Sequence, residues 1–100
     1  MTSIQKIFRQ VGRSFEVLSF VGAANELWVP ERTGDYAEDC QLGRFYAQEL
    51  LGYIRIRDCP PMLSHVCKAI SDRGEWSGVE IGFFQEISEA VAGRVSVTVA

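Results

Sequence analysis

Apolar residues recur at three- and four-residue steps through most of the chain. Ile4, Ile7, Phe8, Val11, Phe15 and Leu18 follow this spacing from the N-terminus. At 100° per residue they form a stripe about 100° wide, where strand alternation would split them between two faces. Thr2 and Gln5 resemble a capping box at its start. Val17, Phe20, Val21, Ala24 and Leu27 then form a second stripe on the opposite side of the same helix, with Gly22 at the changeover as a bend or a break. The spacing predicts one helix over residues 3–27.

The stretch VPERTGDY reads as a loop, because Pro30 disfavours helix at Val29 and Thr33-Gly34-Asp35 is turn chemistry. Asp35 with Glu38 forms a capping box for a second helix over 35–56. Tyr36, Cys40, Gly43, Ala47, Leu50, Leu51 and Ile54 lie along one side of it. The small residues Cys40, Gly43 and Ala47 make a seam that a neighbouring helix can approach closely. The far end has two readings, since Gly52 is able to stop the helix and YIRIR alternates as a strand does.

A third helix is expected over 61–73. Pro61 is its first residue, Pro60 is expected outside the α region, and Gly74 is the stop. A fourth, over 78–92, has the clearest start. Ser77 and Glu80 make a capping box, and Trp76 and Ile81 occupy the positions of a hydrophobic staple. Its main stripe is Val79, Phe83, Phe84, Ile87, Ala90 and Val91, and Gly93 should end it. The tail RVSVTV alternates valine with serine and threonine, which reads as a short strand in need of a partner edge. The fold class expected is therefore mainly α: a single four-helix domain spanning residues 1–100, with a short β-like tail at 94–99.

Composition narrows the function classes. One hundred residues make one domain, and 47% apolar with 23% charged residues is ordinary for a globular protein. The net charge of −3 supplies no bulk attraction to nucleic acid or anionic membrane. No apolar run approaches the roughly 18–20 residues of a membrane span, and the charged N-terminal stretch lacks a signal peptide's apolar core. Three cysteines without a disulfide-like spacing favour a reducing, cytoplasmic setting.

The rare residues cluster in RDCPPMLSHVCKAI, which holds Cys59, His65 and Cys67. With Leu63 at 0° on its helix, Val66, Cys67 and Ile70 fall within about 60° and define the buried face, whereas His65 falls near 200°. His65 and Cys67 therefore point apart and do not chelate one ion, and the spacing lacks the paired Cys-x2-Cys of zinc sites. No metal or cofactor is implied. Cys40 and Cys67 read as small core residues and His65 as solvated. A small-molecule-binding protein or enzyme using His65 with a cysteine, Cys59 or Cys40, is the alternative, but nothing in the spacing demands that contact. Nucleophile-elbow, phosphate-loop and dinucleotide motifs are absent. Glu80, Glu86 and Glu89 lie mostly off the apolar face and read as a solvated helix surface.

A helix-turn-helix built from the last two helices would place VEIGFFQEISEA in the DNA groove, where three glutamates meet phosphate and no cation does. Lys6, Arg9 and Arg13 share one face near the N-terminus and are a modest nucleic-acid candidate. Protein–protein association is the more economical expectation. The helix over 3–27 has two apolar faces, and the one carrying Val17, Phe20, Val21 and Ala24 needs cover. Either the chain's other helices wrap it or a second copy does, and the expectation is a non-enzymatic interaction or regulatory module, as a homodimer or with another protein.

Overall fold

In the computed structural model, which describes residues 18–99 (backbone only at Asn25 and at 94–99), three α-helices carry the architecture. They are α1 (Tyr36–Arg57), α2 (Pro61–Arg73) and α3 (Gly78–Val99). No strand occurs among the described residues. The protein is mainly α, but the described residues form three helices and not the four expected, and they carry no β-like tail.

The helix expected over 3–27 is the first correction. Residues 1–17 lie outside the described residues. Residues 18–27 form a turn followed by a single 3-10 turn, Ala23–Asn25, with Ala24 left-handed at φ 55° and Glu26 extended. Gly22 is extended and breaks the chain direction. The segment folds back on itself: the Val29 N–H donates to the Phe20 carbonyl at 2.6 Å, and the Gly22 N–H to the Glu26 carbonyl at 2.8 Å. Phe20 and Trp28 meet with ring centroids 5.3 Å apart, and both are buried. Burying two aromatic side chains outweighs the small helix preference of the intervening residues, so a helical spacing is present without the helix.

The tail is the second correction. Residues 94–99 continue α3 instead of forming a strand, and Gly93 does not end it. An alternating segment without a partner edge has no ladder to join, whereas a helix satisfies its own backbone groups.

α1 starts where Asp35 accepts the Glu38 N–H on Oδ1 at 3.1 Å. Glu38 and Asp39 in its first turn and Arg55 and Arg57 in its last complement the helix dipole. The helix passes through Gly52 and takes in YIRIR. It stops at Asp58, left-handed at φ 52°, where the Cys59 N–H reaches the Ile54 carbonyl at 3.2 Å in a Schellman-type cap. α2 begins at Pro61, as expected. Pro60, however, is in the α region at φ −51° and ψ −36°, because the restriction before proline is a preference and not a prohibition. Gly74 closes α2 in the left-handed conformation at φ 73°.

The chain divides into two compact units, Met1–Glu31 with Glu49–Glu75, and Arg32–Gln48 with Trp76–Ala100. In the first, Leu18, Phe20, Trp28, Leu50, Tyr53, Met62, Val66 and Ile70 are buried. The α2 face thus runs along Met62, Val66 and Ile70, slightly rotated from the expected one, with Leu63 and Cys67 half-buried at its margin. In the second, Tyr46, Ala47, Val79 and Phe83 are buried together with the carboxylates of Asp39 and Glu80.

Candidate interaction surface

α3 presents two faces with different chemistry. The inner one packs on the first half of α1 with almost no space between the backbones. A Cβ at Gly43 would overlap the Val79 carbonyl oxygen, and one at Gly82 would overlap the Cys40 carbonyl oxygen. The small-residue seam of α1 therefore serves the close approach that its composition suggests.

Glu80 and Glu86 of α3 belong to this packed region and are not a solvated surface, whereas Glu89 is. Glu80 is completely buried, and Arg32 donates to both its oxygens, Nη1 to Oε1 at 2.9 Å and Nη2 to Oε2 at 2.6 Å. Glu80 also closes the capping box, since the Ser77 N–H and the Ser77 hydroxyl each donate to its Oε1 at 2.9 Å. Arg44 of α1 donates to Glu86 Oε1 at 3.0 Å and to Glu89 Oε2 at 3.2 Å. These two carboxylates hold the guanidinium's proton affinity above its ordinary value, Glu89 more than Glu86. Gln48 donates to the second oxygen of Glu86 at 3.2 Å.

On the outer face, Ile81, Phe84, Ser88 and Val91 recur at steps of three, four and three residues, so they share one side of the helix. Ile81, Ser88 and Val91 are exposed and Phe84 is half-buried, with Val91 at 53%. The expected single stripe thus splits: Val79 and Phe83 turn inward, and Phe84 and Val91 outward. Trp76 adds its ring at the N-terminal end, 56% exposed and 5.7 Å from the Phe84 ring centroid. Trp76, Ile81, Phe84 and Ser88, with Arg44 and Glu89 at the rim, line an open cleft of about 500 Å³. Its floor and walls are largely hydrocarbon, and its rim is charged, which suits a side chain from another chain.

Phe20 is enclosed by its own chain, Val21 is half-buried and Ala24 is exposed, while Val17 lies outside the described residues. Lys6, Arg9 and Arg13 also lie outside them. Periodicity assigns Phe84 and Val91 to the buried side and so hides the outer stripe of α3, although Trp76 and Ile81 stand apart from that side as a pair.

His65 is exposed and shares a cleft of about 260 Å³ with Cys59, Tyr53 and Arg57. No hydrogen bond joins its ring to a thiol among the described residues. Burial pushes both the Cys59 and the Cys67 thiols above their ordinary pKa, which leaves less thiolate at neutral pH. Cys40 belongs to the other unit, facing Gly82, and its thiol raises the pKa of the Tyr36 hydroxyl through a hydrogen bond. Among the described residues no group of three or more His, Cys, Asp or Glu side chains is arranged to hold a metal ion. No helix among them is long and apolar enough to cross a membrane.

Comparison with known proteins leaves the reading to the chain itself: no family model, no curated protein and no solved structure matches it.

Proposed function

We propose that this protein is a non-enzymatic protein–protein interaction module whose contact surface is the outer face of α3 with Trp76. The observation that carries the reading is the half-exposed Trp76 ring beside Ile81 and Phe84 in one open cleft. Tryptophan in an apolar cleft beside arginine is the composition of an energetic anchor at protein interfaces. Burying Trp76, Ile81 and Val91 against a partner would gain roughly 1.5–3 kcal/mol for each large side chain fully removed from water. The rigid inner face supports the reading as well, because an interlocked helix pair holds the outer stripe in a fixed geometry and lowers the entropy cost of binding.

A dimer formed through Val17, Phe20, Val21 and Ala24 would require the Phe20 ring, which is already used inside the chain. The α3 face replaces it as the contact we propose. The three free thiols accord with a reducing, cytoplasmic setting.

Site-specific photo-crosslinking in the native cell tests the reading. A photoreactive residue at Ser88 should give one adduct of defined mass that disappears with Phe84→Ser, while the same residue at exposed Lys68 of α2 should give none. Equal, diffuse labelling from both positions would reject the interaction surface.

A further inference from the structure

We infer that the occupant of the α3 face is a cationic amphipathic helix of another protein. This rests on the reading of that face as an interaction surface. The first observation is the charge distribution. The unit that carries the face, Arg32–Gln48 with Trp76–Ala100, has three cations (Arg32, Arg44, Arg94) against six carboxylates (Asp35, Glu38, Asp39, Glu80, Glu86, Glu89). Its formal charge of −3 is the charge of the whole chain, and the other unit is neutral, with seven of each sign.

The second observation is local. At the cleft, Glu89 shares the guanidinium of Arg44 with Glu86, which lies behind the lining, and Glu89 keeps 66% of its side chain in water. From Gly78 to Gly93, α3 contains three glutamates and no lysine or arginine. A lysine or arginine arriving at this rim finds the solvated Glu89 carboxylate, which has only a share in one guanidinium, whereas an arriving carboxylate is repelled. The same imbalance disfavours a second copy of the chain, because the face would meet its own sign.

The third observation is shape. Ile81, Phe84, Ser88 and Val91 extend along about 15 Å of one helix at 1.5 Å per residue. An apolar ridge of this kind packs with the side chains of another helix spaced at three and four residues. No strand edge is present among the described residues to recruit an extended peptide.

The test uses the full chain and two 18-residue, tryptophan-free model helices with the same leucine stripe, one lysine-faced and one glutamate-faced. Trp28 is 1% exposed, so changes in the accessible part of the emission report Trp76. At physiological salt the lysine peptide should bind saturably at one per chain and shift Trp76 emission to shorter wavelength. It should bind at least ten-fold tighter than the glutamate peptide. Val91→Ser, which leaves the buried residues untouched, and Phe84→Ser should each weaken it several-fold. Equal or tighter binding of the glutamate peptide at Trp76 would overturn the charge assignment while leaving the interaction surface standing. So would a chain that sediments as a dimer with Trp76 already emitting from an apolar setting. Lysine-peptide binding that survives both substitutions, or no response of Trp76 to either peptide, would overturn the inference outright.

Discussion

Arg32 grips Glu80 through both of its terminal nitrogens, at 2.9 and 2.6 Å, and the carboxylate it holds is shut off from water. The pair ties the loop before α1 to the first turn of α3. Removing the guanidinium strands a buried charge, which costs more than the pair's net worth. Arg32→Met should therefore destabilise the protein by about 3 kcal/mol, measured by urea denaturation. Replacing both partners, as in Arg32→Met with Glu80→Met, should cost no more than Arg32→Met alone, because no uncompensated charge remains. A single substitution worth under about 0.5 kcal/mol would show that water reaches Glu80.

Asp39 gives the acid dependence. Its Oδ1 accepts the Thr33 N–H and the Thr33 hydroxyl, each at 2.8 Å, and these bonds, the backbone one first, hold its carboxyl below the ordinary carboxylate pKa. A depressed pKa stabilises the fold fully above the unfolded-state value of about 3.9, and the stabilisation is lost as pH falls through the lower folded value. Thr33→Val removes one of the two bonds. The Asp39 carboxyl should then titrate at higher pH by NMR, and the acid-unfolding midpoint should rise with it. An unchanged titration would mean that the hydroxyl contributes nothing to the charged form.

Two glycines in helices should respond to alanine with opposite signs. Gly82→Ala puts a methyl group onto the Cys40 backbone and should destabilise by about 1–3 kcal/mol through forced separation of α1 and α3. Gly52 has no neighbour within 4 Å of an added Cβ. Gly52→Ala should stabilise by roughly 0.5–1 kcal/mol through helix propensity. Thermal and urea unfolding of the two variants check both signs.

Thiol chemistry tests the Cys–His alternative. With their pKa values raised by burial, Cys59 and Cys67 should alkylate more slowly at neutral pH than a free cysteine in a peptide. His65→Ala should leave the Cys59 rate unchanged. A marked fall in that rate would reveal a working pair.

Local signals in the sequence located the starts of all three helices, each of which begins with explicit chemistry, Asp35 with Glu38 marking that of α1. Ser77-x-x-Glu80 marked the start of α3, and Pro61 with Gly74 bracketed α2 to the residue. Capping and stop signals act within one turn of backbone, so they are readable without the rest of the fold. Signals that depend on distant contacts were not. The spacing of Phe20, Val21 and Ala24 mimics a helix, yet the Phe20 ring folds onto Trp28. The end of α1 falls at Asp58, a residue that tolerates the left-handed conformation less readily than glycine and so carries a weaker stop signal.

The candidate surface was only half legible for the same reason. Phe83 and Phe84 are adjacent, and periodicity placed both inside. The glycines that seat α3 against α1 decide which of them turns inward. The burial of Glu80 depends on Arg32, from a loop 48 residues away, a partner that no local spacing signals.

The most direct measurement is the thermal unfolding of the double variant Trp76→Ser with Ile81→Ser. If the outer stripe of α3 is kept for a partner and contributes little to the fold, the variant should melt cooperatively within about 5 °C of the parent, equivalent to roughly 1 kcal/mol. A fall of about 15 °C or more, or loss of a cooperative transition, would make these side chains part of the core and contradict the account.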